Sequence, residues 1–328
     1  MKLTDRYIAY IRNVRRYSDR TVQIYNDVLE GYLQVVHGDA DVSDEEILAS
    51  LNHSEIRRYE AQRLEDGLSA RTVVLHMSAL SSFCRYLVKE GLLESNPVRL
   101  VAKPKVSKRL PDFFRKDDMN AYFERTSYVM DSSQLDFFVA NMNGRSGKEM
   151  YESRLRRLII SMLYSLGLRR AELITLSVGD VDYGRKIVKV HGKGDKMREI
   201  PLIVSLCEEI LLYLKAVEAM CGGKRSLNEP LLVTYRGERL YPAYVDRAVK
   251  KELRDSGEMT GRKSPHVLRH SLATGLMNED VGINSIKELL GHSSLAATQV
   301  YTHGSIAKLK SNYELAHPRA KNGGKNGD

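Results

Sequence analysis

Residues 186–202 read KIVKVHGKGDKMREIPL, and this stretch sets the fold class. It reads as two short strands around a Gly192-Lys193-Gly194-Asp195 turn, the signature of a hairpin. Immediately upstream, SRLRRLIISMLYSLG (153–167) is a helix pattern. Leu155, Leu158, Ile159, Met162, Leu163 and Leu166 recur at helical spacing on one face, and Gly167 ends the helix. Downstream, helical segments run to the end of the chain. The expectation is a mainly α protein with a small β-sheet, its C-terminal part α+β.

Working back to the start, the first hundred residues read as helices only. Ser18 precedes DRTVQIYNDVLEGYLQVV and is a candidate N-cap. Ser69 precedes ARTVVLHMSALSSFCRYLVKEG, where Val73, Met77, Leu80 and Phe83 form one buried face and Gly91 marks the stop. NPVRLVAKPKVSKRLPDFF (96–114) then carries Pro97, Pro104 and Pro111, with five basic residues between the first and the last. Proline removes backbone donors and breaks helices, so this is read as a linker. Lys103, Lys105, Lys108 and Arg109 are candidates to lie along DNA phosphates, with a plain tether as the competing reading. The expected organisation is a helical domain over 1–100, a basic linker over 101–113, a second domain over 114–320 and a disordered tail over 321–328. The aperiodic stretch near 127–149 is expected to be an insertion.

The composition narrows the class of function. Across 328 residues there are 51 Lys and Arg against 42 Asp and Glu, a formal charge of +9. Such an excess points to a polyanionic partner, usually nucleic acid, although a basic surface kept for solubility has the same composition. No apolar run is long enough to span a bilayer. MKLTDRYIAYIRNVRR lacks an apolar signal core, so a cytoplasmic protein is expected. Three cysteines, Cys84, Cys207 and Cys221, without CxxC spacing suggest neither a disulfide framework nor a cysteine metal site.

Four segments carry the chemistry: GLRRAEL with Arg169, HGKGDK with Lys193, SPHVLRH with His266 and Arg269, and LGHSSLAATQVYTH with His292 and Tyr301. Taken singly, each has a bland reading as a surface arginine, a turn lysine or a packed tyrosine. His266 and His270, four apart on a helix, invite a zinc site, but HExxH lacks its glutamate here and Arg269 on the same helix would repel a cation. Together the segments have a physical logic. Ser264-Pro265 starts a helix, with serine as cap and proline at the first helical position. His266 and Arg269, three apart, share a face near the anion-favouring end of that helix. Gly291 ends the next helix and puts His292 at a junction. Arginines, histidines and a lysine gathered near a tyrosine suit phosphoryl transfer: cations offset charge on the non-bridging oxygens, a lysine protonates the leaving alkoxide, and the phenol forms a covalent link.

These segments resemble the tyrosine recombinase (lambda integrase) family, its Xer-like members most closely, and the closing HPRA (317–320) adds to the likeness. The resemblance implies a helical core-binding domain, a linker and a catalytic domain. It implies that Arg169 and Arg269 clamp the scissile phosphate, Lys193 is the general acid, His266 supports proton transfer, His292 bonds a non-bridging oxygen and Tyr301 is the nucleophile. Glu172 matches a bracing carboxylate of the family, with an ordinary helix-surface carboxylate as the competing reading. Arg170 and His270 are read as structural. The implied reaction proceeds through a 3′-phosphotyrosine without cofactor or metal. The implied partners are double-stranded DNA sites and a homo-tetramer on two sites, alone or with a paralogous recombinase, acting in dimer resolution, integration and excision, or inversion. A type IB topoisomerase and a non-catalytic DNA-binding regulator on the same fold are the alternatives. Finally, SIAKLKSNYELAHPRA has Ile306, Leu309, Tyr313 and Ala316 at spacings of three and four, an amphipathic helix expected to pack on its own domain or, as the resemblance implies, on a neighbouring protomer.

Overall fold

The computed structural model describes residues 1–106, 112–127, 133–141, 144–192, 197–254, 261–279 and 281–291. The chain divides into two compact units, Met1–Arg109 and Leu110–Asp328.

The first unit is helical: α1 (Leu3–Ala9), continued by a π-helical turn over Tyr10–Val14, then α2 (Asp19–His37), α3 (Asp44–Ser50), α4 (His53–Glu65) and α5 (Ala70–Lys89). The two N-caps expected from the sequence form. Ser18 Oγ accepts from the Thr21 backbone N–H, and Ser69 Oγ accepts from that of Thr72. Each bond satisfies a donor that a helix start leaves orphaned. Val73, Met77, Leu80 and Phe83 of α5 are all buried in the core of this unit. The end of the expected 1–100 domain is ordered into the same unit. Pro97–Leu100 forms a 3-10 turn, and Val98 and Val101 enter the same core. Asn96 anchors this turn by donating to Ser81 Oγ at 2.9 Å and accepting from the Val98 N–H at 3.1 Å. Proline suits the first position of such a turn, where no donor is needed.

The second unit holds α6 (Lys116–Arg125), α7 (Ser133–Asn141), α8 (Arg145–Leu166), α9 (Arg170–Thr175), a three-stranded antiparallel sheet, then α10 (Val204–Cys221), α11 (Pro242–Arg254), α12 (Pro265–Asn278) and α13 (Ile283–Leu290). The sheet has order β1-β2-β3 over Val181–Asp182, Ile187–His191 and Met197–Pro201. The expected hairpin is β2–β3, with His191 opposite Met197, and its turn residues 193–196 lie outside the described residues.

Helix α8 is the axis of this unit and packs against α7, α10, α11 and α12. The one-face reading of 153–167 therefore needs correction. Ile160, Ser161, Tyr164 and Ser165, on the other side, are buried as well. A helix enclosed by neighbours on several sides has no solvent face to show an amphipathic period. Buried polar groups on α8 are matched. Arg157 donates to Thr126 Oγ1 at 3.0 Å and pairs with Glu209 of α10, which also accepts from Ser161 Oγ at 3.0 Å. Losing one partner of such a pair typically costs about 3–5 kcal/mol. The stretch near 127–149 contains α7, whose Phe138 joins the core, followed by the first turn of α8. Among the described residues, no helix is long and apolar enough to cross a membrane.

Candidate active site

The site begins where α8 stops. Gly167 adopts the left-handed conformation with φ 58°, and α9 begins three residues later. A Cβ at Gly167 would lie 2.6 Å from Leu290 Cδ2 of α13 and 3.0 Å from Leu272 Cδ2 of α12. Both the backbone conformation and the close approach call for glycine. Arg169 then occupies the N-cap position of α9, and Glu172, at the third helical position, reaches back. Its Oε2 accepts from the Arg169 backbone N–H at 2.8 Å, and its Oε1 accepts from Arg169 Nη1 at 2.7 Å. The GLRRAEL spacing is thus a helix stop, a turn and a capping carboxylate in seven residues.

Glu172 is 5% exposed, which excludes the helix-surface reading. The same carboxylate receives a second arginine that the sequence reading missed. Arg198, on β3 and 6% exposed, donates from Nη1 to Glu172 Oε1 at 3.0 Å and from Nη2 to Oε2 at 2.8 Å, a parallel two-bond fork. The strand period held the signal. Arg198 and Ile200, two apart, are both buried, so an arginine shares the core-facing side of the hairpin. Arg269 completes the cluster, with Nη1 3.9 Å from Glu172 Oε2.

The three guanidinium groups also meet the end of α13. Arg198 Nε donates to the Leu289 carbonyl at 3.0 Å, Arg269 Nη2 donates to the Leu290 carbonyl, and Arg169 Nη2 donates to the Gly291 carbonyl at 2.8 Å. Arg269 Nη1 donates to the Gly167 carbonyl, which ties in the end of α8. Helix ends leave their last carbonyls without partners and carry partial negative charge, so cations are favoured there. Gly291, with φ 64°, is the left-handed cap of α13, and a Cβ there would sit 3.1 Å from Arg198 Nη1. Three separated segments of the chain therefore converge on residues 289–291.

Electrostatically the cluster is unbalanced. Three arginines face one glutamate, a surplus of two positive charges. Burial works against ionisation of Glu172, but hydrogen bonds and charge from Arg198, then Arg169, outweigh it and hold the carboxyl below its ordinary value. Burial, then the nearby Arg169, lowers Arg269 to about 10, so it stays protonated at neutral pH. Arg169 is the outlet of this charge, since its side chain is 37% exposed and Arg269 and Arg198 lie beneath at 9% and 6%. An anion arriving at Arg169 would offset the surplus.

The other predicted residues fall as follows. His266 is exposed on the first turn of α12, one turn before the buried Arg269. Ser264 precedes that helix and Pro265 takes its first position, but the Ser264 side chain makes no cap bond. Its carbonyl accepts from the Val267 N–H at 3.0 Å, and proline needs no donor partner. Arg170 pairs with Asp246 of α11, and the His270 ring stands edge-on to Phe113 with centroids 6.5 Å apart. Lys103 and Lys105 are exposed. Lys193, His292 and Tyr301, together with Lys108, Arg109, the amphipathic segment 305–320 and the tail, lie outside the described residues.

Comparison with known proteins gives a consistent picture. Residues 129–307 match the phage integrase family, and residues 4–91 match the phage integrase N-terminal SAM-like domain. The chain is 31% identical over 320 residues to tyrosine recombinase XerC of Chlorobaculum parvum, covering 96% of this chain and 94% of that one. Its fold is similar to that of XerH site-specific recombinase bound to a palindromic difH substrate in a post-cleavage complex, with TM-score 0.61, 19% identity, and 97% and 83% of the two chains covered. It is also similar to a lambda integrase tetramer bound to a Holliday junction, with TM-score 0.58, 19% identity, and 92% and 79% covered.

Proposed function

The chain belongs to the phage integrase family, and on that premise we propose a role for each residue of its site. As a tyrosine recombinase it cuts and rejoins DNA. In our reading the Tyr301 phenol oxygen attacks the scissile phosphorus, the bond to the 5′-oxygen breaks, and a 3′-phosphotyrosine forms. Lys193 gives a proton to the leaving 5′-oxygen, and His266 assists removal of the tyrosine proton. Arg169 and Arg269, with His292, bind the non-bridging oxygens as charge builds there. A 5′-hydroxyl from another strand then displaces Tyr301 by the reverse path. One phosphodiester is exchanged for another through a phosphoryl-tyrosine ester, so no nucleotide hydrolysis has to drive the reaction.

The observation that carries this reading is the convergence of Arg169 and Arg269, gathered around Glu172, on the carbonyls of Gly291 and Leu290, which immediately precede His292 in sequence. A cation surplus with one solvent-reaching arginine suits a phosphodiester better than a neutral or cationic substrate. DNA is the partner, and multimeric assembly accompanies it; we place the protein in the cytoplasm and assign it a tetramer on two sites. The amphipathic segment 305–320 is assigned to the neighbouring protomer, so deleting 305–328 should leave single-site binding intact and abolish the two-site complex on native gels. The roles of the arginines are tested by trapping covalent protein–DNA complexes in SDS. Arg169→Ala and Arg269→Ala should still shift a single site and form little adduct. Adduct at the wild-type rate from either variant would remove that arginine from the chemistry.

A further inference from the structure

Arg198 is not among the residues assigned a chemical step, yet through Glu172 and the end of α13 its placement connects it to both arginines that are. All three nitrogens of its guanidinium are engaged, Nε by the Leu289 carbonyl and the two terminal nitrogens by the two oxygens of Glu172. It is buried, so it does not itself reach a phosphate. Glu172 in turn holds Arg169 through both its backbone N–H and its side chain. The carbonyl that Arg198 holds is followed by those that hold Arg269 and Arg169.

We propose that Arg198 is a positioning residue for DNA cleavage, fixing the Glu172 carboxylate and the last turn of α13 so that Arg169 and Arg269 present their remaining N–H groups to the scissile phosphate. This rests on the phosphate-binding role assigned to those two arginines above. Without the fork, the Glu172 carboxylate keeps Arg169 alone as a hydrogen-bond donor among the described residues, and the Leu289 carbonyl loses its guanidinium donor. Arg169 would then be drawn further onto Glu172 and away from substrate. Lysine preserves the charge at position 198 but offers one nitrogen in place of a planar three-nitrogen fork, so it cannot hold two oxygens and a carbonyl in the same geometry.

The test compares full-length wild type, Arg198→Met and Arg198→Lys on a nicked single-site duplex that traps the covalent intermediate. Two scissile groups are used: the ordinary phosphate, and a methylphosphonate in which a methyl group replaces one non-bridging oxygen and removes the negative charge. At saturating protein, both variants should cleave the phosphate about 10- to 100-fold more slowly, the cost typical of small misplacement at a reacting centre. Single-site affinity should change by less than about threefold, because the phosphate contacts that dominate affinity are spread over the duplex. On the methylphosphonate, which needs less cationic support, the variants should regain most of the lost rate relative to wild type. If Arg198→Met does not fold, Arg198→Lys alone carries the comparison. The proposal is overturned if Arg198→Lys cleaves the phosphate at the wild-type rate, or if both substrates are slowed equally. A wild-type protein that forms no adduct on the phosphate would instead refute the assigned reaction, which keeps the two failures separate.

Discussion

Replacing Gly167 by alanine tests the junction between α8 and the site. The residue has φ 58°, where an L side chain costs about 1–2 kcal/mol. The added Cβ would also lie 2.6 Å from Leu290 Cδ2 and 3.0 Å from Leu272 Cδ2, both on packed helices. Overpacking of that kind costs about 1–3 kcal/mol. The expected loss is therefore about 2–5 kcal/mol, the sum of the two effects. Gly222 provides the control within the same unit. It caps α10 with φ 75°, and a Cβ there would meet nothing within 4 Å, so Gly222→Ala should show the conformational cost alone. For a unit of this size each kcal/mol shifts the melting temperature by about 2–4 °C, so Gly167→Ala should melt about 2–12 °C below Gly222→Ala. Circular dichroism melts of the full chain measure this. Leu290 offers its carbonyl to Arg269 as well as its methyl to Gly167, so Gly167→Ala should also slow cleavage at temperatures where it remains folded. Equal melting of the two variants would refute the steric reasoning.

Other consequences are open to measurement. If Lys193 protonates the leaving oxygen, Lys193→Ala should cleave ordinary DNA very slowly and recover on a substrate with sulfur at the bridging 5′ position, which leaves without a proton; no recovery would assign the lysine another role. DNA binding should weaken with salt at a log–log slope of about −0.9 per phosphate contact. Neutralising Lys103, Lys105, Lys108 and Arg109 together should flatten that slope, and an unchanged slope would make the linker a tether. Glu172 is held below its ordinary value of 4.5, so its contribution to stability is fully present above that pH and is lost as pH falls through the folded value. The stability gap between wild type and Glu172→Gln in urea should therefore be constant near neutrality and shrink below about pH 4.5, whereas a gap independent of pH would mean the charge of Glu172 is not what matters.

Features fixed by local pattern were legible in the sequence. The hairpin, the caps at Ser18 and Ser69, the stops at Gly167 and Gly291 and the buried face of α5 each depend on a few neighbouring residues. Features set by tertiary neighbours were not. Ile160, Ser161, Tyr164 and Ser165 are buried because helices surround α8, and no single-helix period encodes how many neighbours a helix will have. Helix α7 was hidden because Phe137 and Val139 remain exposed while Phe138 enters the core, leaving no amphipathic stripe. At the site, Arg169 and Arg269 stood out through their motifs. Arg198 did not, because a lone arginine in a strand looks like a solvated edge until its partner, Glu172, is brought to it from 26 residues away.

The central claim is that Tyr301 forms the covalent bond to DNA, and one measurement bears on it most directly. Wild type and Tyr301→Phe are incubated with a nicked site, denatured in SDS, and the covalent complex is digested and mapped by mass spectrometry. The wild-type peptide containing Tyr301 should carry the 3′-phosphoryl nucleotide, and Tyr301→Phe should bind the site with unchanged affinity and yield no adduct. An SDS-resistant complex from Tyr301→Phe, or a nucleotide mapped to another residue such as Tyr313, would contradict the account.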